Sequence, residues 1–477
     1  MKSAVLLSAT ALRCKKINPK FLGIATLLIC LLRVAAIGAA APATDISGLW
    51  AGTLIRSGQA LSVRIAFSRE QSGRYTGSFG SDAQAIMDYP LDSVRIAGRR
   101  VAFVAGDGDL RFSGEVRDGT IAGTFDGDEG KGGFVLHPTA VRALPYNVED
   151  VAFANGGATL KGTLCVPSSR GRHPAVVLLH GSGPESRWGT NRFIADRLAR
   201  RRITALIYDK RGSGASTGNW RTVGYEALAD DAIAGMTVLA KRTGIDANEI
   251  GLWGHSQGGF IAPLIAKRSG HVAFIVAADS NASTNREQDL LRVTNEIRDN
   301  GWTVQEGTDA LALYMHFLDV ASAGGQGYDQ LEQDLQRNKD KPWAAWIGVP
   351  PMNSWLYKWY PRVANYDSRV YWKAIRVPVL LVYGQHDELS DISGSIATID
   401  ALVRGGGGPA VRSIILPHAP HTLHIAPMSG HPFFWWHMAS GYPAAEIDWI
   451  WKVTHLAKKE SHGLARLSSP YEARSSY

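Results

Sequence analysis

Residues 250–265 read IGLWGHSQGGFIAPLI, and this segment carries the clearest structural pattern in the sequence. A short apolar run ends in the G-x-S-x-G motif Gly254–Gly258, and a longer apolar, helix-like run follows the motif. This strand–turn–helix context places a serine on a sharp bend at the end of a buried strand. The flanking glycines let the backbone turn tightly and let the helix pack close to the strand. We therefore interpret Ser256 as a candidate nucleophile.

A second G-x-S-x-G motif, Gly214–Gly218, competes with the first. Its serine, Ser216, follows Asp209-Lys210-Arg211-Gly212 and precedes Asn219-Trp220, so polar, loop-like sequence lies on both sides. A buried strand does not lead into this motif and an apolar helix does not follow it. We interpret Ser216 as a loop residue.

Around Ser256, purely apolar runs alternate with segments of helical periodicity. The predicted strands are Ala175–Leu179, Thr204–Tyr208, Ile250–Trp253, Val272–Ala277, Val379–Tyr383 and Val411–Leu416, and the predicted helices are Asn191–Arg201, Tyr225–Lys241 and Gly259–Lys267. Apolar strands separated by helices predict a mostly parallel sheet with helices on both faces. Val148–Phe153 and Thr159–Val166 read as an antiparallel hairpin at the edge of that sheet.

Two further regions flank or interrupt this pattern. Residues 45–140 contain short alternating runs separated by Gly, Asp and Ser about every ten residues, which predicts a β-rich sandwich or barrel domain. Residues 283–376 separate two predicted strands by far more than an ordinary crossover and hold six of the 14 tryptophans. We interpret this segment as an inserted helical cap whose tryptophans could line the entrance to a site. The alternative is a packing subdomain whose tryptophans fill its own core.

A serine hydroxyl needs a base within hydrogen-bond reach and an acid that orients this base. In chain order the acid is expected to come next. Asp387 directly follows the strand Val379–Tyr383, where a side chain reaches the carboxyl edge of the sheet. Glu388 and Asp391 in the same loop, and Asp279 after the preceding strand, are competing acids.

The base is expected after the last strand, where Pro417–His424 contains three histidines. His418 is close to the end of the strand, and His424 lies where the next segment begins. His421 lies in the middle of the loop and is our predicted base. Since a lone histidine is more often structural, chain order is what favours this assignment.

An oxyanion that forms during acyl transfer needs two backbone N–H donors. Gln257, the residue after the nucleophile, is predicted to supply one of them. The turn His180-Gly181-Ser182-Gly183-Pro184 follows the strand Ala175–Leu179 and is predicted to supply the other through Ser182. Taken alone, this turn could equally be a plain glycine turn.

Four motifs occur along the chain in this order: His180–Pro184, Tyr208–Gly214, Trp253–Gly259 and Val377–Gly384. Together they resemble bacterial α/β-hydrolases of the serine-aminopeptidase-like and prolyl-oligopeptidase-like esterase branch, from about Tyr146 to Lys459. The resemblance implies an α/β-hydrolase domain over residues 146–460, with Ser256, Asp387 and His421 as its catalytic triad. It also implies structural roles for Asp209 and Arg211.

These observations predict a serine hydrolase that cleaves carboxylic or thio esters through an acyl-enzyme. The expected partner is a small-molecule ester or a short peptide, and the motifs imply neither a metal nor an organic cofactor. One alternative is a serine peptidase that acts on short peptides or aminoacyl amides with the same residues. Another is a catalytically inactive binding protein whose β-domain holds a cell-wall or sugar ligand.

The formal charge of +8 lies mostly in residues 1–43, which carry six Lys and Arg and no acid and leave +2 for the rest. This distribution argues against a nucleic-acid partner.

The leader has the pattern of a signal peptide cleaved after Ala40 or Ala43: basic residues, then a 12-residue apolar run at Phe21–Leu32, then small residues. The alternative, an uncleaved anchor, would need about 20 apolar residues. We expect an exported, periplasmic or secreted protein without stable membrane insertion, and a disordered tail at residues 461–477.

Overall fold

The computed structural model describes residues 44–128, 130–428 and 430–454. The leader at residues 1–43 and the tail at residues 461–477 lie outside the described residues and stay predictions. Across the part of the chain that is described, no helix is long and apolar enough to cross a membrane.

Residues 48–139 form one continuous antiparallel sheet. Its nine strands are β1 (Gly48–Arg56), β2 (Gln59–Arg69), β3 (Tyr75–Ser81), β4 (Ile86–Pro90), β5 (Ser93–Ala97), β6 (Arg100–Ala105), β7 (Leu110–Arg117), β8 (Thr120–Gly127) and β9 (Gly130–Thr139). The spatial order is β4-β3-β2-β1-β9-β8-β7-β6-β5, so strands adjacent in sequence pair everywhere except β4 and β5, which are the two edges, and β1 pairs with β9 in the middle. The β-rich segment is therefore a single sheet and not the two packed sheets of a sandwich.

This sheet curls around its own core. Along β2, Leu61, Val63, Ile65 and Phe67 are buried, and polar or small residues between them face outward. The ring of Phe67 lies 5.4 Å from that of Phe103 on β6, although four strands separate β2 from β6 in the sheet. A flat sheet would hold these rings roughly 24 Å apart. The aromatic core therefore requires a strongly curved sheet.

The second sheet has eight strands in the order β10-β11-β13-β12-β14-β15-β16-β17. They are β10 (Tyr146–Asn155), β11 (Ala158–Pro167), β12 (His173–Leu179), β13 (Thr204–Tyr208), β14 (Ile245–His255), β15 (Ile275–Ala278), β16 (Val379–His386) and β17 (Arg412–Pro420). The first two form the predicted antiparallel edge hairpin, and all pairings from β13 to β17 are parallel. A short two-stranded ladder follows, β18 (His424–Ile425) with β19 (His437–Met438).

Helices cover both faces of this sheet. The flanking helices are α1 (Thr190–Arg200), α2 (Tyr225–Ala240), α3 (Gln257–Ser269), α10 (Ile392–Gly405) and α11 (Ala444–Val453). Alternate residues of β12 enter different cores, because Val177 packs with α2 and α3 whereas Val176 packs with α1 and α11. This is the predicted α/β-hydrolase fold.

The segment between β15 and β16 is helical. It contains α4 (Asn285–Asp299), α5 (Val304–Ser322), α6 (Tyr328–Asn338), α7 (Ala344–Ile347), α8 (Leu356–Trp359) and α9 (Arg369–Trp372). Trp343 is fully buried in the insertion's own core, and Trp372 is fully buried in the core of the sheet. These two tryptophans cannot line an entrance, so the packing interpretation holds for them.

The nine-stranded sheet docks on the hydrolase domain beside α1. Met87 and Gly189 exchange both backbone hydrogen bonds, at 3.2 and 3.0 Å. The Arg192 guanidinium is 3% exposed, pairs with the Asp88 carboxylate at 3.0 Å and donates to the Tyr146 hydroxyl at 3.1 Å. One arginine of α1 thus ties the N-terminal sheet to the first strand of the second sheet.

We expect Arg192→Ala to lower the free energy of unfolding by about 2 kcal/mol, because it removes a buried guanidinium that donates to Tyr146 and pairs with the Asp88 carboxylate, which is 43% exposed. Chemical denaturation followed by tryptophan fluorescence measures this loss. Arg201→Ala is a matched control, since its ion pair with Asp448 is 51% and 54% exposed and should be worth less than ~1 kcal/mol. Equal losses in the two variants would contradict the importance of the Arg192 contacts.

Candidate active site

Ser256 lies on the bend between β14 and α3 with φ of 53°, a left-handed conformation that a serine adopts only under strain. Its N–H donates to the Ala278 carbonyl at 2.9 Å, and its carbonyl accepts from Phe260 N at 2.9 Å. A Cβ on Gly254 would lie 2.2 Å from the Gly258 carbonyl carbon, so this position excludes any side chain. The bend holds the Ser256 side chain in the geometry of a nucleophile elbow.

The structure brings the three predicted triad residues together. Nδ1 of His421 donates to Asp387 Oδ1 at 2.9 Å, which leaves Nε2 to accept from Ser256 Oγ at 3.0 Å. His421 and Asp387 are 4% and 6% exposed. Burial raises the pKa of Asp387, but its hydrogen bond to His421 and the charge of the imidazole outweigh burial and bring this pKa below its usual value. Asp387 therefore stays ionised at neutral pH and can orient the imidazole.

The competing acids have other partners. Glu388 accepts from the backbone N–H of His421 at 3.2 Å, and Asp391 caps α10 by accepting from Gly394 N. Asp279 accepts from Gly384 N at 3.0 Å. Among these four acids, Asp387 alone makes a hydrogen bond to the His421 ring within the described residues.

The competing histidines point elsewhere. His418 is exposed, has a φ of 60° and donates its backbone N–H to the Gln385 side chain. The His424 ring packs 4.6 Å from the Trp436 ring, and burial lowers its pKa to about 4. Of the three, His421 contacts the serine.

A second histidine, His255, contacts the His421 loop, and the sequence did not predict this contact. Its Nε2 donates to the His421 carbonyl at 2.9 Å and lies 3.4 Å from the Asp279 carboxylate. Burial lowers the pKa of His255, but the hydrogen bond and charge of Asp279 outweigh burial and raise it to about 9. His255 therefore holds the backbone of the predicted base through the His421 carbonyl. Its position next to Ser256 in the motif was the available signal.

One predicted oxyanion donor, Gln257, directly follows Ser256 in the elbow, and the other, Ser182, lies in a turn next to it. Gln257 is the first residue of α3, so its N–H has no partner within the helix. The turn that carries Ser182 packs against the elbow, because a Cβ on Gly258 would lie 3.0 Å from the His180 carbonyl oxygen. His180 anchors this turn through a hydrogen bond between its Nε2 and the Tyr208 carbonyl at 2.5 Å. Ser182 itself is exposed.

Asp279, Asp387 and His421 each offer one potential metal ligand atom, and these atoms lie within 4.8 Å of one another. Both ring nitrogens of His421 already have hydrogen-bond partners. A metal ion would have to displace Asp387 or Ser256 from the imidazole. The donor set therefore fits a hydrogen-bonded triad better than a metal centre.

Residues 171–427 match the family described as serine aminopeptidase, S33. This range covers more than half of the chain and includes the elbow and both triad loops. The chain belongs to the serine aminopeptidase S33 family. This confirms the resemblance that the four motifs indicated, and the match begins after the nine-stranded sheet.

Several known proteins resemble this S33 family member. Esterase EstD of Thermotoga maritima is 26% identical over 277 residues, which is 57% of this chain and 59% of EstD. The chain thus spans less than two thirds of that relative. A hypothetical protein of Pseudomonas aeruginosa superposes with a TM-score of 0.41 at 18% identity, covering 66% of this chain and 96% of its own. An esterase of Pyrococcus furiosus superposes with a TM-score of 0.40 at 17% identity, covering 68% and 96%.

Proposed function

We propose that this protein hydrolyses carboxylic or thio esters of small molecules through an acyl-enzyme on Ser256. The observation that carries the proposal is the continuous contact from Asp387 through His421 to Ser256, at 2.9 and 3.0 Å. The similarity to an esterase supports esters as the substrate class.

In the first half-reaction, Ser256 Oγ attacks the carbonyl carbon while its proton moves to His421 Nε2. The carbonyl oxygen becomes an oxyanion that accepts hydrogen bonds from the N–H groups of Ser182 and Gln257. The bond to the leaving group then breaks, and the leaving alcohol or thiol takes the proton from His421. Asp387 remains ionised and stabilises the imidazolium throughout.

In the second half-reaction, a water molecule attacks the acyl carbon and gives its proton to His421 Nε2. The second oxyanion collapses, the bond to Ser256 Oγ breaks, and Oγ recovers the proton. The products are one carboxylic acid and one alcohol or thiol, and the chain returns to its starting protonation state.

A fluorophosphonate probe tests this proposal, because it reacts with an activated serine. We expect one covalent adduct, located on Ser256 by peptide mass spectrometry, and hydrolysis of short p-nitrophenyl esters by the same preparation. Ser216→Ala is the control: Ser216 Oγ donates to the Asp209 carbonyl at 2.7 Å, and this variant should still be labelled on Ser256.

Folded protein that is not labelled would contradict the proposal and favour a binding protein. Faster turnover of aminoacyl p-nitroanilides than of matched esters would instead favour the peptidase.

A further inference from the structure

Lys210 is a buried cation in the turn after β13 that the mechanism above does not use. It is 3% exposed, and Trp220 covers it with its ring centre 5.4 Å from Nζ. A buried ammonium group is costly unless each of its protons finds an acceptor. Nζ donates to the Gly181 carbonyl at 2.8 Å and to the Gln257 side-chain carbonyl at 2.8 Å. Both acceptors belong to the two segments that carry the oxyanion donors.

The first acceptor bears directly on Ser182. The Gly181 carbonyl and the Ser182 N–H are opposite ends of one planar, trans peptide unit. When the ammonium holds the oxygen, it also fixes the direction in which the N–H points. A cation on the oxygen further polarises the peptide and makes its N–H a stronger donor.

The second acceptor bears on Gln257. Its side chain is held by Lys210, while its backbone N–H lies at the start of α3, beside Ser256. One ammonium group therefore contacts the Gln257 side chain and the peptide unit that carries the Ser182 N–H.

We propose that Lys210 is a positioning residue for the oxyanion hole. It orients the Ser182 N–H through its hydrogen bond to the Gly181 carbonyl, and it fixes Gln257 through its hydrogen bond to the side chain of that residue. This inference rests on the proposed function. The lysine does not touch substrate, and its effect is largest where the negative charge on the carbonyl oxygen is largest, in the transition state.

Several charged or titratable groups surround this lysine. Glu185 accepts from Gly181 N at 3.0 Å, and His180 lies at the start of the same turn. Arg211, the residue after Lys210, forms an ion pair with Asp231. Asp209 accepts from Arg187 N at 2.9 Å.

Burial lowers the pKa of Lys210 to about 8, and the negative charge of Glu185 only partly opposes this shift. Its positive charge is therefore nearly complete only well below pH 8 and is lost as the pH rises through that value.

In the wild-type protein, kcat/KM should accordingly decrease as the pH rises through about 8, which gives the pH profile an alkaline limb. His255 has a pKa raised to about 9, and Glu446 has a pKa raised by burial to about 8, so a limb alone does not identify the lysine. Variants of Lys210 show whether the alkaline limb comes from this lysine.

The experiment compares Lys210→Met, Lys210→Arg, Arg221→Met and Ser256→Ala on a short p-nitrophenyl ester. Lys210→Met should lower kcat by about 10²- to 10³-fold, as expected for loss of an oxyanion donor, and change KM only a few-fold. A boronic acid that forms a tetrahedral adduct should lose affinity by the same factor. Lys210→Arg keeps the charge at all pH values, so the activity that it retains should not decrease through loss of this charge near pH 8.

Arg221→Met is the matched control, because this exposed arginine also lies over the Trp220 ring, at 5.1 Å, and should leave kcat unchanged. A folded Lys210→Met variant with wild-type kcat, while Ser256→Ala is inactive, would overturn this inference alone. If the methionine variant does not fold, a folded Lys210→Ala variant with wild-type kcat would overturn it. An active Ser256→Ala variant would overturn the proposed function itself.

Discussion

His421→Ala is expected to lower kcat for short esters by about 10⁴- to 10⁶-fold. The His421 imidazole is the group that contacts Ser256 Oγ, and without it the serine proton has no acceptor. KM should change little, because the ring is 4% exposed and offers almost no surface to bound substrate. Initial rates measured at high enzyme concentration, with substrate above KM, give the residual kcat.

His418→Ala is the matched control for this variant, because it removes an imidazole from the same loop. His418 is exposed, and its recorded hydrogen bond comes from its backbone N–H, so the variant should keep kcat within a few-fold of wild type. If His418→Ala lost as much activity as His421→Ala, the assignment of the base would be wrong.

Asp387→Asn is expected to lower kcat by about 10⁴-fold without unfolding the protein. The carboxylate accepts the Nδ1 proton of His421 and thereby leaves Nε2 unprotonated and facing the serine. An amide can donate to Nδ1 and so favours the opposite tautomer, in which Nε2 carries the proton and cannot act as the base. The pH profile of kcat and circular dichroism, which reports folding, together measure this loss.

Asp279→Asn provides the comparison, because Asp279 lies in the same cluster but accepts from Gly384 N and lies 3.4 Å from His255 Nε2. We expect a much smaller loss of kcat from this variant. A larger loss than in Asp387→Asn would identify Asp279 as the acid that orients the base. Because the pKa of Asp387 is below its usual value, activity that depends on this carboxylate is lost only as the pH falls through that depressed pKa.

The parallel sheet and its elbow were predictable because buried parallel strands are apolar on both faces. The runs at Thr204–Tyr208 and Val379–Tyr383 stand out from the helical segments around them, and all six predicted strands are present. The topology of the fold then orders the serine, the acid and the base along the chain. Once the strands were recognised, this order placed the acid in the loop after Val379–Tyr383 and the base in the loop after the last strand.

The details of the histidine loop were not predictable in the same way. The apolar run ends at Leu416, but β17 continues to Pro420, because Pro420 pairs with His386 after an irregularity in register. A bulge of this kind depends on the neighbouring strand and leaves no periodic signal in the sequence. The choice among three histidines therefore rested on their position in the loop.

Contacts between segments distant in the chain were missed for a related reason. His255 holds the carbonyl of His421, and Lys210 holds Gly181 and Gln257, across 166, 29 and 47 residues. Sequence periodicity shows which face of an element is buried, but not which polar groups meet at its end. For the same reason, alternation along β2 showed a half-buried strand without showing whether residues 45–140 form one sheet or two.

The pair of backbone hydrogen bonds between Met87 and Gly189 has a consequence for how the chain can be shortened. Gly189 begins the first helix of the hydrolase domain and ends the loop that starts at the Ser182 turn. Trimming the gene to residues 171–427 would remove the acceptor of the Gly189 N–H at one end of that loop, and the Gly189 carbonyl would keep only its hydrogen bond from Phe193 N. The smallest unit that keeps the loop anchored therefore extends at least to Met87.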